Sequence, residues 1–107
     1  MNYQQLKEFY DGGTKRSKEI GRTIKNNTRV IKTERGYGVK YHRTTIIDVC
    51  PNDTYLIDTD GYHTRSTKDR VNLFAPIEVY QKQFVWYFRG SVFEDGMVFT
   101  SQGSLIV

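Results

Sequence analysis

The residues best suited to chemistry gather between Asp60 and Asn72, where the chain reads Asp-Gly-Tyr-His-Thr-Arg-Ser-Thr-Lys-Asp-Arg-Val-Asn. Ser66 and Asp69 stand three apart, the spacing of an acidic capping box. The chain is therefore predicted to leave a turn at Asp60-Gly61 and enter a short helix near Thr67. A helix N-terminus offers free N–H groups and partial positive charge. With Thr64, Arg65, Ser66, Thr67, Lys68 and Arg70 crowded about it, this end has the donors and charge of a phosphate cradle. Arg43 adds a second cation, Asn72 can make paired hydrogen bonds to a base edge, and Tyr41, Tyr62 or Phe74 can stack on a planar ring. The candidate ligand-binding set is Arg43, Tyr62, Arg65, Thr67, Lys68, Arg70 and Asn72. Capping by itself also accounts for Ser66 and Asp69 without any ligand.

Hydrolysis is the competing chemistry. His42 and His63, the only histidines, could act as base and acid beside Lys68 and Arg70 in a metal-free ribonuclease. A metal site is not expected, because the two imidazoles lie far apart in sequence without a third and Cys50 is the lone cysteine. No cofactor is expected either: Gly36-Tyr37-Gly38 lacks the third glycine and the following helix of a dinucleotide fingerprint. Tyr41-His42-Arg43-Thr44 and Tyr62-His63-Thr64-Arg65 are alike, and neighbouring strands could unite them into an aromatic and cationic patch.

Charge suggests a third possibility. The net charge is +4, yet residues 1–35 hold nine Lys or Arg against four acids. Such a field attracts phosphates, nucleic acid or an acidic protein face. Lys15, Arg16, Lys18, Arg22 and Lys25 are the residues that would contact a nucleic-acid backbone without selecting a sequence. No run approaches the roughly 18 apolar residues of a membrane span. The N-terminus also lacks the layout of a signal peptide, so a cytoplasmic protein without membrane partners is expected.

These groups must be positioned by short elements. Asn2 can cap a helix over Tyr3 to Tyr10, ended by Gly12-Gly13; so short a one-sided helix must dock on its own sheet or on another subunit, which makes a homo-oligomer the expectation. Thr14 to Asn27 reads as a loop or weak basic helix. From Thr28 the period becomes two: a strand to Thr33, a turn at Arg35-Gly36, a strand through Tyr37, Val39 and Tyr41, then Thr45 to Cys50, a turn at Pro51 to Asp53, and Thr54 to Thr59. The central helix, Thr67 to Phe74, should pack through Val71, Leu73 or Phe74 and stop before Pro76. Ile77 to Gln81, Phe84 to Arg89, Met97 to Thr100 and Ser104 to Val107 read as further strands. Phe84, Trp86 and Phe88 alternate with Val85 and Tyr87, so that strand should be central or covered on both sides, and Trp86 should lie in the core. The prediction is one domain over 1–107, with a basic segment 1–27 and a β core 28–107. Its class is mainly β within α+β, a curled antiparallel sheet or small open barrel of seven or eight short strands.

Gly61-Tyr62, Thr64, Ser66-Thr67-Lys68 and Arg70-Val71-Asn72, with Tyr41-His42-Arg43-Thr44 upstream and Val79-Tyr80-Gln81 downstream, resemble a family of small phage-encoded proteins over about residues 28–99. Tyr62, Asp60 and Val71 stand where that group has Trp, Gly and Ile. The resemblance implies a viral origin and a role against host defence, host nucleic acid or host proteins. Combined with the phosphate chemistry, it suggests a non-enzymatic protein that sequesters a nucleotide signal. The alternatives are a basic accessory protein that binds nucleic acid or inhibits a host protein, and the ribonuclease.

Overall fold

The computed structural model describes residues 1–106. Two antiparallel sheets carry the fold. The larger is formed by β1 (Arg22–Lys25), β2 (Thr28–Lys32), β3 (Tyr37–Tyr41), β4 (Thr44–Val49), β5 (Tyr55–Ile57) and β9 (Met97–Phe99), in the order β1-β2-β3-β4-β5-β9. The smaller is β6 (Tyr80–Lys82), β7 (Val85–Phe88) and β8 (Ser91–Val92), in chain order. Three helices complete the described residues: α1 (Tyr3–Asp11), α2 (Lys15–Ile20) and α3 (Arg65–Phe74). The mainly β class is correct, and the sheets remain open rather than closing into a barrel.

The meander β1 to β5 follows from alternation. Val30, Val39, Ile47 and Ile57 face one side and are fully buried. Their cross-strand register, Val30 with Val39, Val39 with Ile47 and Ile47 with Ile57, makes a continuous apolar row. Two helices cover that row. Asn2 Oδ1 accepts from Gln5 N–H at 2.9 Å while Gln5 Oε1 accepts from Asn2 N–H at 2.9 Å. The box so formed starts α1 and turns Leu6 and Tyr10 inward. Tyr3 and Tyr10 each place a ring 5.4 Å from Tyr37, so α1 docks on its own sheet, and burying Leu6 alone contributes about 2 kcal/mol. Gly36 lets that approach happen, since a Cβ there would lie 2.9 Å from the Tyr3 ring as well as against the Val49 carbonyl.

Several expectations are corrected. The stretch Thr14 to Asn27, read as a loop or weak basic helix, holds the short basic helix α2 and also the edge strand β1, which was not expected. Thr14 caps α2, Gly21 ends it at φ 98°, and Asn26-Asn27 turns β1 onto β2. The cap of α3 is Thr64 rather than Ser66, so the helix begins at Arg65 and not Thr67: Thr64 Oγ1 accepts from Thr67 N–H at 3.2 Å. Ser66 Oγ is engaged instead by Tyr41 Oη at 3.0 Å. Val71 and Phe74 bury under the helix, whereas Leu73 points outward at 57% exposure.

Ile77 and Val79 are buried without belonging to a strand. Asn72 clamps this loop, its amide donating to the Val79 carbonyl at 2.9 Å and accepting from Val79 N–H at 2.6 Å. β7 is central in its sheet, as one reading of its pattern had it, but only one face is covered: Trp86 and Phe88 are buried, while Val85 is exposed. Of Ser104 to Val107, Leu105 makes a single bridge to Phe99, and Val107 lies outside the described residues.

Phe84 leaves the strand alternation altogether. It sits with Gln83 in the two-residue β6–β7 turn, both at positive φ (51° and 67°), and is 91% exposed. Left-handed backbone costs an L-residue about 1 kcal/mol, and this aromatic recovers nothing by burial. Phe84→Gly is therefore expected to stabilise the protein by about 0.5 to 1 kcal/mol. An unchanged or lower urea midpoint for the variant would count against that account.

Candidate ligand pocket

Two segments meet at the end of the larger sheet. One is the β3–β4 turn, where Tyr41 and Thr44 flank His42 (φ 53°) and Arg43. The other runs from Thr59 into the first turn of α3. The Tyr41 to Ser66 hydrogen bond ties them together. Between them opens a cavity of about 440 Å³ lined by Tyr41, His42, Arg43, Thr44, Ile46, Thr59, Tyr62, Thr64, Ser66 and Thr67. Its walls are mostly rings and methyl groups. Thr64 Oγ1, which lies 3.2 Å from Ser66 Oγ and 2.8 Å from Thr67 Oγ1, supplies a hydroxyl cluster at the helix entrance. Thr67 and Lys68 N–H groups are taken by Thr64, leaving those of Arg65 and Ser66 as the free donors of the first turn.

The wall between Thr59 and His63 is held from a distance by Asp95 in the β8–β9 connection. Its carboxylate accepts from Thr59 N–H (2.7 Å), Thr59 Oγ1 (2.9 Å), Gly61 N–H (2.9 Å) and His63 Nε2 (3.3 Å). Burial pushes this carboxyl upward, but the Thr59 and Gly61 backbone donors, the Thr59 hydroxyl and His63 outweigh it and hold Asp95 below its ordinary value. His63 stacks on Trp86 at 4.4 Å. Trp86 is 1% exposed, and its Nε1 has no partner among the described residues.

The predicted ligand residues separate into three places. Arg43, Tyr62 and Thr67 line the cavity, and Tyr62 is 60% exposed at its mouth. Arg65 and Lys68 lie on α3 outside the lining. Arg70 is buried behind Tyr41, its guanidinium 4.1 Å from the ring centroid, with Nε on Thr28 Oγ1 (2.8 Å) and the two Nη atoms on the Ser66 and Asn26 carbonyls (3.0 Å each). Asn72 spends both amide atoms on Val79, at the other end of the helix. The two histidines are not brought together in the cavity: His42 lines it, and His63 faces Trp86 and Asp95.

In the basic segment, Lys15, Arg16 and Lys18 are exposed on α2 and Lys25 on β1. Arg22 is engaged, donating to the Phe9 carbonyl at 2.7 Å and lying 4.3 Å over the Phe9 ring. No three His, Cys, Asp or Glu side chains come together as a metal-binding group among the described residues.

Residues 11–102 match the model of the Kyanoviridae Gp96 protein family. The chain belongs to this phage protein family. The match takes in the pocket and its supports, from Arg22 to Asp95, and thereby supports the viral origin that the resemblance implied. No curated protein and no solved structure matches the chain. Among the described residues no helix is long and apolar enough to cross a membrane.

Nothing in the sequence marked Asp95, Thr59 or Ile46 as parts of this site. An Asp before Gly96 reads as an ordinary turn residue, and only the tertiary fold aims its carboxylate at a loop more than 30 residues away.

Proposed function

We infer that this phage protein is a non-enzymatic binding protein that holds a phosphate-bearing nucleotide in the cavity between Tyr41 and Tyr62. In the host cytoplasm it would keep an immune signal from its receptor. The observation that carries this reading is the lining itself: two tyrosines, five side-chain hydroxyls of Thr and Ser with those of Thr64, Ser66 and Thr67 at the helix entrance, Arg43, and no carboxylate. About 440 Å³ falls within the usual range for small-ligand pockets. Tyrosine faces suit a base, and hydroxyls with two free N–H groups suit a phosphate.

A thermal-shift panel of linear and cyclic nucleotides tests it, because a ligand that favours the native state raises the melting temperature. Arg43→Ala and Tyr62→Ala are each expected to weaken binding by about tenfold, the loss of one charge-assisted hydrogen bond or one stacking contact. Mass spectrometry after denaturation should recover the ligand intact; a cleaved product would favour an enzyme using His42. Absence of any shift, with salt-sensitive retention of an oligonucleotide lost on replacing Lys15, Arg16 and Lys18, would move the function to the exposed basic segment. We keep a homo-oligomer as an accompanying proposal, although α1, docked on its own sheet, no longer calls for one; light scattering decides it, and a mass of 12.5 kDa would remove it.

A further inference from the structure

Arg70 is only 8% exposed, yet every acceptor it holds is neutral: a threonine hydroxyl, two backbone carbonyls and the face of Tyr41. The two ion pairs among the described residues, Lys7 with Asp11 and His63 with Asp95, do not involve it. Asp69, next to it on α3, is exposed and outside ion-pair distance. Hydrogen bonds satisfy the donors of a buried guanidinium without cancelling its charge. A cation removed from water without a counter-ion is costly, and its field is screened far less than that of a surface arginine.

This charge sits behind the pocket rather than in it. Tyr41 and Ser66 both line the cavity, and Arg70 lies against the ring of the first and the carbonyl of the second. The Thr64, Ser66 and Thr67 hydroxyls and the free N–H groups of Arg65 and Ser66 meet at the same point. Chain and charge thus converge on Ser66. A second, smaller cavity beside it, of about 330 Å³ and lined by Thr23, Asn26, Asn27, Thr28, Arg29 and His42, carries no carboxylate either.

We propose that Arg70 is the specificity-determining residue of this pocket, selecting a ligand with a phosphoryl group at Ser66 over the same ligand without it, through its buried charge and without touching it. This rests on the pocket being a ligand site. It differs from a direct contact because cancelling the charge in place should abolish the preference even though Arg70 remains.

Thr28 allows that test. Its Oγ1 receives Arg70 Nε–H at 2.8 Å inside the fold, so Thr28→Asp places a counter-ion on the guanidinium while Thr28→Asn places a neutral acceptor there. Calorimetric titration with the four common nucleosides and their 5′-monophosphates gives a phosphate preference for each protein. The wild type and Thr28→Asn are expected to favour the monophosphate by about tenfold or more, and Thr28→Asp to bring the ratio near one while retaining nucleoside affinity. A ratio unchanged in Thr28→Asp would overturn the proposal and leave the pocket standing. Failure of the wild type to bind either member of every pair would remove the pocket reading and this one with it. Should Thr28→Asp not fold, the wild-type ratio measured from low salt to about 0.5 M decides: a buried charge keeps its preference, whereas collapse of the ratio points to exposed cations and overturns the role of Arg70.

Discussion

Arg70→Ala is expected to lower the free energy of unfolding by about 3 kcal/mol, with or without ligand. The guanidinium joins the first turns of α3, through Ser66, to the β1–β2 hairpin, through Asn26 and Thr28, and its removal leaves those acceptors short of a donor inside the protein. Truncation also opens space against Tyr41. Urea denaturation followed by the emission of Trp86, the single tryptophan, measures the change directly. A loss below about 1 kcal/mol would mean that the hairpin and helix hold together by apolar packing and that the three hydrogen bonds add little.

Asp95→Ala is expected to cost about 3 kcal/mol near neutral pH, since Thr59 N–H and Gly61 N–H would lose a charged acceptor and Thr59 is fully buried. The same change should free the loop that carries Tyr62 and so weaken ligand binding, without altering any residue that lines the pocket. The pH dependence follows from the lowered pKa of Asp95 in the folded protein. A carboxyl depressed on folding contributes stability that is complete above its unfolded value and disappears as pH falls through its folded one. The difference between wild type and Asp95→Ala should therefore be constant above about pH 5 and shrink below about pH 4. A difference that grew on acidification would contradict the assignment of Asp95 as an ionised acceptor.

Much of the larger sheet was legible because its inward residues alternate with few exceptions, as in Val30, Val39, Ile47 and Ile57. β1 was not, because Thr23 and Lys25 are polar and the strand takes its place only by pairing with β2. The start of α3 was misplaced for a related reason. Thr64, Ser66 and Thr67 all carry a hydroxyl able to cap, and the choice falls to Thr64 once Ser66 is taken by Tyr41, 25 residues earlier. In β7 the apolar alternation was correctly seen, but alternation says nothing of the left-handed turn that puts Phe84 into solvent. At the pocket, Arg43, Tyr62 and Thr67 were readable as local clusters. Arg70 was legible as a cation near a helix start, and its burial behind Tyr41 was not, because that depends on the hairpin at Asn26 folding over it.

The position of β9 bears on the order in which the chain folds. Strands β1 to β4 pair only with sequence neighbours, whereas β5 also receives β9, which returns after α3 and the smaller sheet with Phe99 opposite Tyr55. A meander of adjacent hairpins closes small loops and can assemble early, including while the chain is still emerging from a ribosome; the β5–β9 pair must wait for a long loop closure. Until then Tyr55 and Phe88 lack their neighbour Phe99, which is fully buried and packs edge-on against Phe88 at 5.1 Å. The candidate pocket inherits that delay, because Asp95 reaches Thr59 and Gly61 only when the segment leading into β9 has arrived. Capacity to bind should thus appear last in refolding, after most of the sheet signal has been recovered.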